Sequence, residues 1–153
     1  MRFLFLPCTA LALLFLSCQN IRSQRSEANE SPEVLVRNAP LHQTRWVPRE
    51  VGGRPVAIPE GTSEPYLLIS SGETAEGNGG CNRFQSSINS REEGELAFSS
   101  LMSTRMACPA LPTEAAFTKA LEQTRAYRIT GNTLWLYDAG ASLLVRLEAV
   151  QAK

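Results

Sequence analysis

The chain has 153 residues, and its 15 lysines and arginines balance its 15 aspartates and glutamates, so the formal net charge is zero. A chain of this length fits one folded domain. A nucleic-acid-binding protein needs a surplus of basic residues to displace the counterions of the phosphates, so the balanced charge argues against a nucleic-acid partner.

The N-terminus has the features of an export signal. Arg2 precedes a predominantly apolar run from Phe3 to Leu16. Such a run is about as long as the apolar core of a signal peptide and shorter than the roughly 20 residues of a membrane-spanning helix. The sequence therefore predicts that residues 1–17 are a signal peptide that is removed during export.

A candidate lipidation site follows. Residues 14–18, Leu-Phe-Leu-Ser-Cys, resemble a bacterial lipobox, although Phe15 and Leu16 depart from the residues usual there. The resemblance implies cleavage before Cys18 and lipidation of its thiol; the alternative is a secreted soluble protein in which this cysteine is incidental. Gln19 stands where an Asp would favour the inner membrane. We expect an outer-membrane anchor facing the periplasm, or the extracellular face of the plasma membrane in a host with one membrane.

Residues 18–40 are predicted to be a disordered tether. They are mostly polar, and the only apolar cluster among them is Val34-Leu35-Val36. Such a composition buries too little apolar surface to offset the conformational entropy of an ordered backbone. The folded domain is therefore expected over residues 41–150.

Short apolar runs separated by turn residues predict strands in the first part of this domain. Residues 77–80, Gly-Asn-Gly-Gly, predict a turn in which several residues have positive φ. The predicted strands are 45–47 paired with 56–58 in a first hairpin, 66–70, and 87–89 paired with 95–98.

One helix is predicted after Pro112, with Thr113 as its N-cap and Glu114 in the first turn, where a carboxylate complements the helix dipole. A core-facing stripe at i, i+3, i+4, i+7 spacing is formed by Phe117, Ala120, Leu121 and Thr124.

Three further strands are predicted after the helix, at 126–130, 133–137 and 143–147. Gly131 opens the two-residue loop between the first two, which favours a type II′ turn. Strands, one helix and a final three-strand meander predict an α+β fold dominated by an antiparallel sheet. The residues that we expect in one core are Trp46, Phe84, Phe117, Leu121, Leu134 and Leu136.

Two motifs in the folded region resemble the META/HslJ family. The first is Gly79-Gly80-Cys81-Asn82-Arg83-Phe84, and the second is Thr104-Arg105-Met106-Ala107-Cys108-Pro109. The resemblance spans most of the domain, with Gln43 and Ser86 at positions where the family usually has glycine. It implies a small antiparallel sheet or half-barrel with one main helix. It also implies an envelope or secreted protein linked to heat and antibiotic stress, with no established catalytic activity.

Cys81 and Cys108 are the thiols that remain after removal of the signal peptide and lipidation of Cys18. In an oxidising envelope such a pair predicts a disulfide, and two free buried thiols are the alternative. A zinc site needs about four ligands, and His42 is the only histidine available to join them.

The polar residues of the two motifs allow two interpretations. Asn82 could bond the backbone of its own turn, with Arg83 and Arg105 pairing with local carboxylates or carbonyls. Alternatively, these residues and Thr104 could form a polar patch that recognises a partner. We favour the structural interpretation.

We therefore expect a non-enzymatic, lipid-anchored envelope protein that acts in stress or antibiotic tolerance by binding an unknown protein or small ligand. No catalytic residue, metal or cofactor is expected, since the lone His42 is accompanied by neither a nucleophile motif nor a phosphate-binding loop. The alternative function is inhibition of a lytic enzyme such as lysozyme.

Overall fold

The computed structural model describes residues 37–150, and the predicted signal peptide, Cys18 and most of the predicted tether lie outside this range. Ten strands and one helix make up the described part of the chain. They are β1 (Arg45–Val51), β2 (Arg54–Pro55), β3 (Tyr66–Ile69), β4 (Thr74–Asn78), β5 (Arg83–Asn89), β6 (Ala97–Phe98), β7 (Met102–Ser103), α1 (Leu111–Gln123), β8 (Ala126–Thr130), β9 (Thr133–Tyr137) and β10 (Leu143–Val150).

The strands form one antiparallel sheet in the order β6-β5-β4-β3-β1-β10-β9-β8, with β2 paired to β1 and β7 paired to β5. Just before β6, Glu95 forms a bridge with Ala126 of β8. The N–H of Tyr127 also donates to the carbonyl of Gly94 at 2.8 Å. Backbone bonds therefore link the two ends of the strand order, and the predicted α+β fold with one main helix is confirmed.

The core lies between the helix and the inner face of the sheet. All six residues predicted for it belong to one buried cluster, and Trp46, Phe117, Leu121, Leu134 and Leu136 are fully buried. The helical stripe is also confirmed, because Ala120 and Thr124 are buried beside them. The described helix, α1, is too short and too polar to cross a membrane.

The start of the helix differs from the prediction. The N-cap is Ala110, without a side-chain cap, and Pro112 lies inside the first turn rather than before it. Proline is tolerated there because the first N–H groups of a helix have no intrahelical acceptor. Thr113 therefore does not cap the helix, and Glu114 is buried.

Strand β4 was not predicted, and the glycine turn differs from expectation. The sequence of β4, Thr-Ala-Glu-Gly-Asn, places the small residues Ala75 and Gly77 on the inner face of the sheet. Of the three glycines in 77–80, only Gly80 has positive φ, at 121°. Gly77 is required for another reason, because a Cβ there would overlap the carbonyl oxygen of Tyr66 and the ring of Phe84.

The predicted pairing of residues 45–47 with 56–58 is wrong, because it is residues 50–51 that pair with 54–55. The last hairpin matches its prediction. The return strand β2 covers only Arg54–Pro55, and residues 56–58 are not a strand. In the β8–β9 loop, Gly131 has a φ of 58°. Asn132, the other loop residue, is not among the positive-φ residues, as a type II′ turn requires.

Candidate functional site

A disulfide joins the two cysteine motifs, residues 79–84 and 104–109. Cys81 and Cys108 are bonded, with their Cα atoms 5.8 Å apart and a sequence separation of 27. Closing a loop of that length removes about 3.5 kcal/mol of chain entropy from the unfolded state. Phe84 packs edge-on against Phe117, with 6.0 Å between ring centroids, so the first motif is also anchored in the core.

Glu114 is the centre of a buried hydrogen-bond network beside the disulfide. Its Oε2 accepts the backbone N–H groups of Cys81 at 3.0 Å and Asn82 at 2.6 Å. Its Oε1 accepts Nδ2 of Asn82 at 2.7 Å. A carboxylate can accept all of these bonds because it offers only acceptors. The role of this residue was missed from the sequence, where its position indicated only a helix N-terminus.

Asn82 connects this network to the second motif. Its Oδ1 accepts the hydroxyl of Thr104 at 2.9 Å and the N–H of Met106 at 2.7 Å, while its Nδ2 also donates to the carbonyl of Met106 at 3.0 Å. The side chain of Asn82 therefore bonds a distant segment, and the prediction that it bonds its own turn is wrong. The structural role predicted for it is correct.

The glycines before Cys81 make room for the network. A Cβ on Gly79 would overlap the side chain of Glu114, with 2.8 Å to Oε2, and a Cβ on Gly80 would lie 2.9 Å from Cβ of Ala110. Real Cβ atoms do not approach other atoms this closely, so both positions require glycine. Pro109 lies in the exposed turn that leads from Cys108 to the helix.

The two motif arginines behave differently from the favoured interpretation. Arg83 and Arg105 are exposed, and neither forms an ion pair with the residues that the structure describes. Met106 is also exposed. The polar motif residues thus divide into a buried structural group around Asn82 and an exposed group that faces solvent.

Two adjoining concavities lie on the sheet and share Tyr66. The first has a volume of about 470 Å³, and the second about 670 Å³. The first is lined by Tyr66, Glu76, Gly77, Arg83, Phe84, Gln85, Met102, Ser103 and Thr104. The second is lined by Ala39, Pro40, Gln43, Thr44, Arg45, Tyr66, Leu68, Asn132, Ala149 and Val150.

Ion pairs cluster on another part of the sheet. Arg146 bonds Glu50 at 2.6 Å and Glu148 at 3.1 Å, and Arg49 bonds Glu148 at 2.9 Å. The hydrogen bond from Arg49, together with that from Arg146, outweighs desolvation and holds the pKa of Glu148 below its ordinary value of 4.5. The hydrogen bond with Glu50 is the largest of the effects that raise the pKa of Arg146.

His42 has a structural partner. Its Nδ1 lies 2.6 Å from the carbonyl oxygen of Ser70 and donates to it.

Within residues 37–150, no three His, Cys, Asp or Glu residues group closely enough to hold a metal ion. All buried side-chain nitrogen and oxygen atoms in the described part of the chain have hydrogen-bond partners.

Comparisons with known proteins agree with this geometry. Residues 39–151 match the model of the META domain. An NMR structure of a protein from Burkholderia xenovorans is 25% identical with a TM-score of 0.58, and the match covers 73% of this chain and 85% of that one. A second NMR structure is 24% identical with a TM-score of 0.54, and covers 69% and 87% respectively. None of the curated proteins matches the chain.

Proposed function

The chain belongs to the META domain family, and on that premise we propose that it is a lipid-anchored envelope protein whose single domain binds a partner rather than catalysing a reaction. The resemblance to the META/HslJ family predicted from the two cysteine motifs is confirmed by the match over residues 39–151. The lipid anchor, the stress role and the binding partner are parts of the proposal.

The observation that carries the proposal is the pair of adjoining concavities around Tyr66. Pockets that bind small ligands are about 300–1,000 Å³ and are lined mostly by apolar side chains, with a few converging polar groups. Both concavities, at about 470 and 670 Å³, fall within that range. Each contains an arginine, Arg83 in the first and Arg45 in the second, that forms no ion pair with the residues the structure describes.

The buried polar side chains beside the disulfide have a structural rather than a catalytic role in this proposal. The side-chain hydrogen bonds of Glu114 and Asn82 go to the backbone, to the hydroxyl of Thr104 and to each other. A general acid or base must instead reach the proton it transfers. These two side chains therefore keep the disulfide region in shape.

The anchor follows from the N-terminal sequence. Lipidation of Cys18 would give the domain several acyl chains, and each buried CH₂ contributes about 0.8 kcal/mol to membrane attachment. One chain alone binds a membrane only marginally, so several would make attachment effectively permanent. Residues 19–40 would then separate the domain from the bilayer.

Complementation in the native host tests this proposal. A strain lacking the gene should become more sensitive to heat or to antibiotics, and the wild-type gene should restore tolerance. Cys18→Ser should fail to restore it and should leave the protein unprocessed and outside the membrane fraction. Cys8→Ser is the matched control, because it changes a signal-peptide cysteine that has too little apolar sequence before it to be lipidated.

Two results would contradict the proposal. If Cys18→Ser is cleaved normally and stays in the membrane fraction, the anchor is not at this cysteine. If the purified domain inhibits lysozyme and the deletion strain shows no change in heat or antibiotic tolerance, inhibition of a lytic enzyme is the better function.

A further inference from the structure

We infer that the concavity of about 670 Å³ binds a small amphiphilic carboxylate, with its negative charge at Arg45 and its apolar part along Leu68 and Val150. This inference rests on the proposed function, because it gives the chemical class of the partner that the domain binds. It concerns the concavity bounded by residues 39–45, β3 and the end of β10.

The floor of this concavity is set by strand register. Arg45 of β1 pairs with Val150 of β10 on one side and with Leu68 of β3 on the other. Residues directly opposite in neighbouring strands have their side chains on the same face of the sheet. One arginine therefore lies between two apolar side chains, with Ala39 and Pro40 adding apolar surface at the rim.

The charge of the concavity selects an anion. Arg45 is the only charged residue among those that line it. Its guanidinium carbon lies 3.6 Å from the centre of the Tyr66 ring. Stacking on an aromatic ring leaves the edge of a guanidinium free, and that edge matches the two oxygens of a carboxylate. No carboxylate of residues 37–150 pairs with this arginine.

The rim contains a residue in a strained conformation. Gln43 has a φ of 60°, in the left-handed region that residues with a Cβ rarely adopt. Its N–H donates to the carbonyl of Ile69 at 2.8 Å, which holds the backbone in place. Strain of this kind is concentrated at binding and active sites. Gln43 is one of the residues that line the same concavity as Arg45.

The neighbouring concavity is less suited to an anion. Arg83 lines it together with Glu76, so a carboxylate bound there would meet a like charge. The matched control for Arg45→Gln is Arg128→Gln, because Arg128 is an exposed arginine of β8 that lines neither of the two concavities. Both substitutions remove one positive charge from an arginine on the sheet and keep a polar side chain.

An NMR titration tests the inference. Isotope-labelled protein comprising residues 19–153 contains the whole described core and is titrated with octanoate and, separately, with octanamide, which has the same chain without the charge. Octanoate should give saturable shifts at the amides of Leu68, Asn132 and Val150 and at Nε of Arg45. Octanamide should bind at least about tenfold more weakly.

Two arginine variants test whether Arg45 binds the carboxylate of octanoate. Arg45→Gln should weaken octanoate binding by about tenfold, and Arg128→Gln should leave it within about twofold. If Arg45→Gln does not fold, Leu68→Glu serves instead, because a carboxylate beside Arg45 should abolish octanoate binding. Equal binding of octanoate and octanamide, equal effects of the two arginine variants, or no saturable shift at these positions would overturn the inference. None of these results depends on Cys18, so the anchor can fail while the ligand site stands.

Discussion

Replacement of Glu114 by glutamine tests the network that joins the two motifs. The change preserves the shape of the side chain but turns one carboxylate oxygen into an NH₂ group. Depending on the orientation of the glutamine amide, this NH₂ group faces either the N–H groups of Cys81 and Asn82 or Nδ2 of Asn82. Asn82 cannot rotate to offer its own oxygen, because its Oδ1 already accepts Thr104 and Met106.

The magnitude follows from that constraint. In either orientation of the glutamine, a donor faces a donor, and the bonds that remain lose the charge of the carboxylate. A hydrogen bond to a charged group contributes about 1.5–3 kcal/mol, and a buried donor left without a partner costs about 1–3 kcal/mol. We expect Glu114→Gln to lower the free energy of unfolding by about 2–4 kcal/mol, a large share of the roughly 5–15 kcal/mol that stabilises a domain.

Denaturation with guanidinium chloride, with the disulfide intact, measures this loss as a lower midpoint at an unchanged slope. Glu122→Gln is the control, because Glu122 lies on the same helix but is exposed, and its bond from the N–H of Leu101 is 3.3 Å long. The control should cost less than about 1 kcal/mol. If Glu114→Gln costs no more than the control, the network does not stabilise the fold and the reasoning fails.

Three further changes test the core, the backbone and the ion pairs. Phe117→Ala should cost about 3–5 kcal/mol in chemical denaturation, and a loss below about 1 kcal/mol would show that the helix face is wrongly assigned. Gln43→Gly should raise the free energy of unfolding by about 0.5–1 kcal/mol, since glycine adopts a positive φ without strain. Ala141→Gly, at the other described non-glycine residue with positive φ, should also stabilise the domain. A lower Tm in both variants would show that neither residue is strained. The folded-state pKa of Glu148 is depressed, chiefly by Arg49, so its contribution to stability is complete above about pH 4.5 and is lost as the pH falls through that lower pKa. The Tm of Glu148→Gln should therefore fall less than that of the wild type between about pH 6 and about pH 3, and equal falls would show that this pair contributes nothing.

The buried and half-buried residues of the two cysteine motifs have mainly a structural role in this chain. Cys81, Asn82 and Cys108 interact with one another or with Glu114, and Gly79 is glycine because that carboxylate lies against it. Such residues keep the scaffold constant. The concavity beside Arg45 is lined by residues outside these two motifs, so the proposed ligand site is separate from them.

The periodic elements were predictable from the sequence because their signals are local. The stripe that includes Phe117 and Leu121 follows the 3.6-residue period of a helix, and strands β8 and β9 were predicted with the bounds that the structure has, because their alternation and the Gly131 loop lie within a dozen residues. The pairing of Cys81 with Cys108 was also predicted, because the predicted export and the two thiols that would remain after it leave few alternatives.

Only the tertiary structure decided the features that depend on residues distant in sequence. Strand β4 has a weak local signal, and Gly77 belongs there because the ring of Phe84 occupies the space of a side chain. Glu114 looks like an ordinary first-turn carboxylate until the fold brings the N–H groups of Asn82 and Cys81, more than 30 residues away, against it. Arg45 lies between Leu68 and Val150, in the proposed ligand site, only because strand register places it there. Propensity and periodicity act over neighbouring residues, whereas burial, hydrogen-bond partners and cavities arise from packing between separate segments.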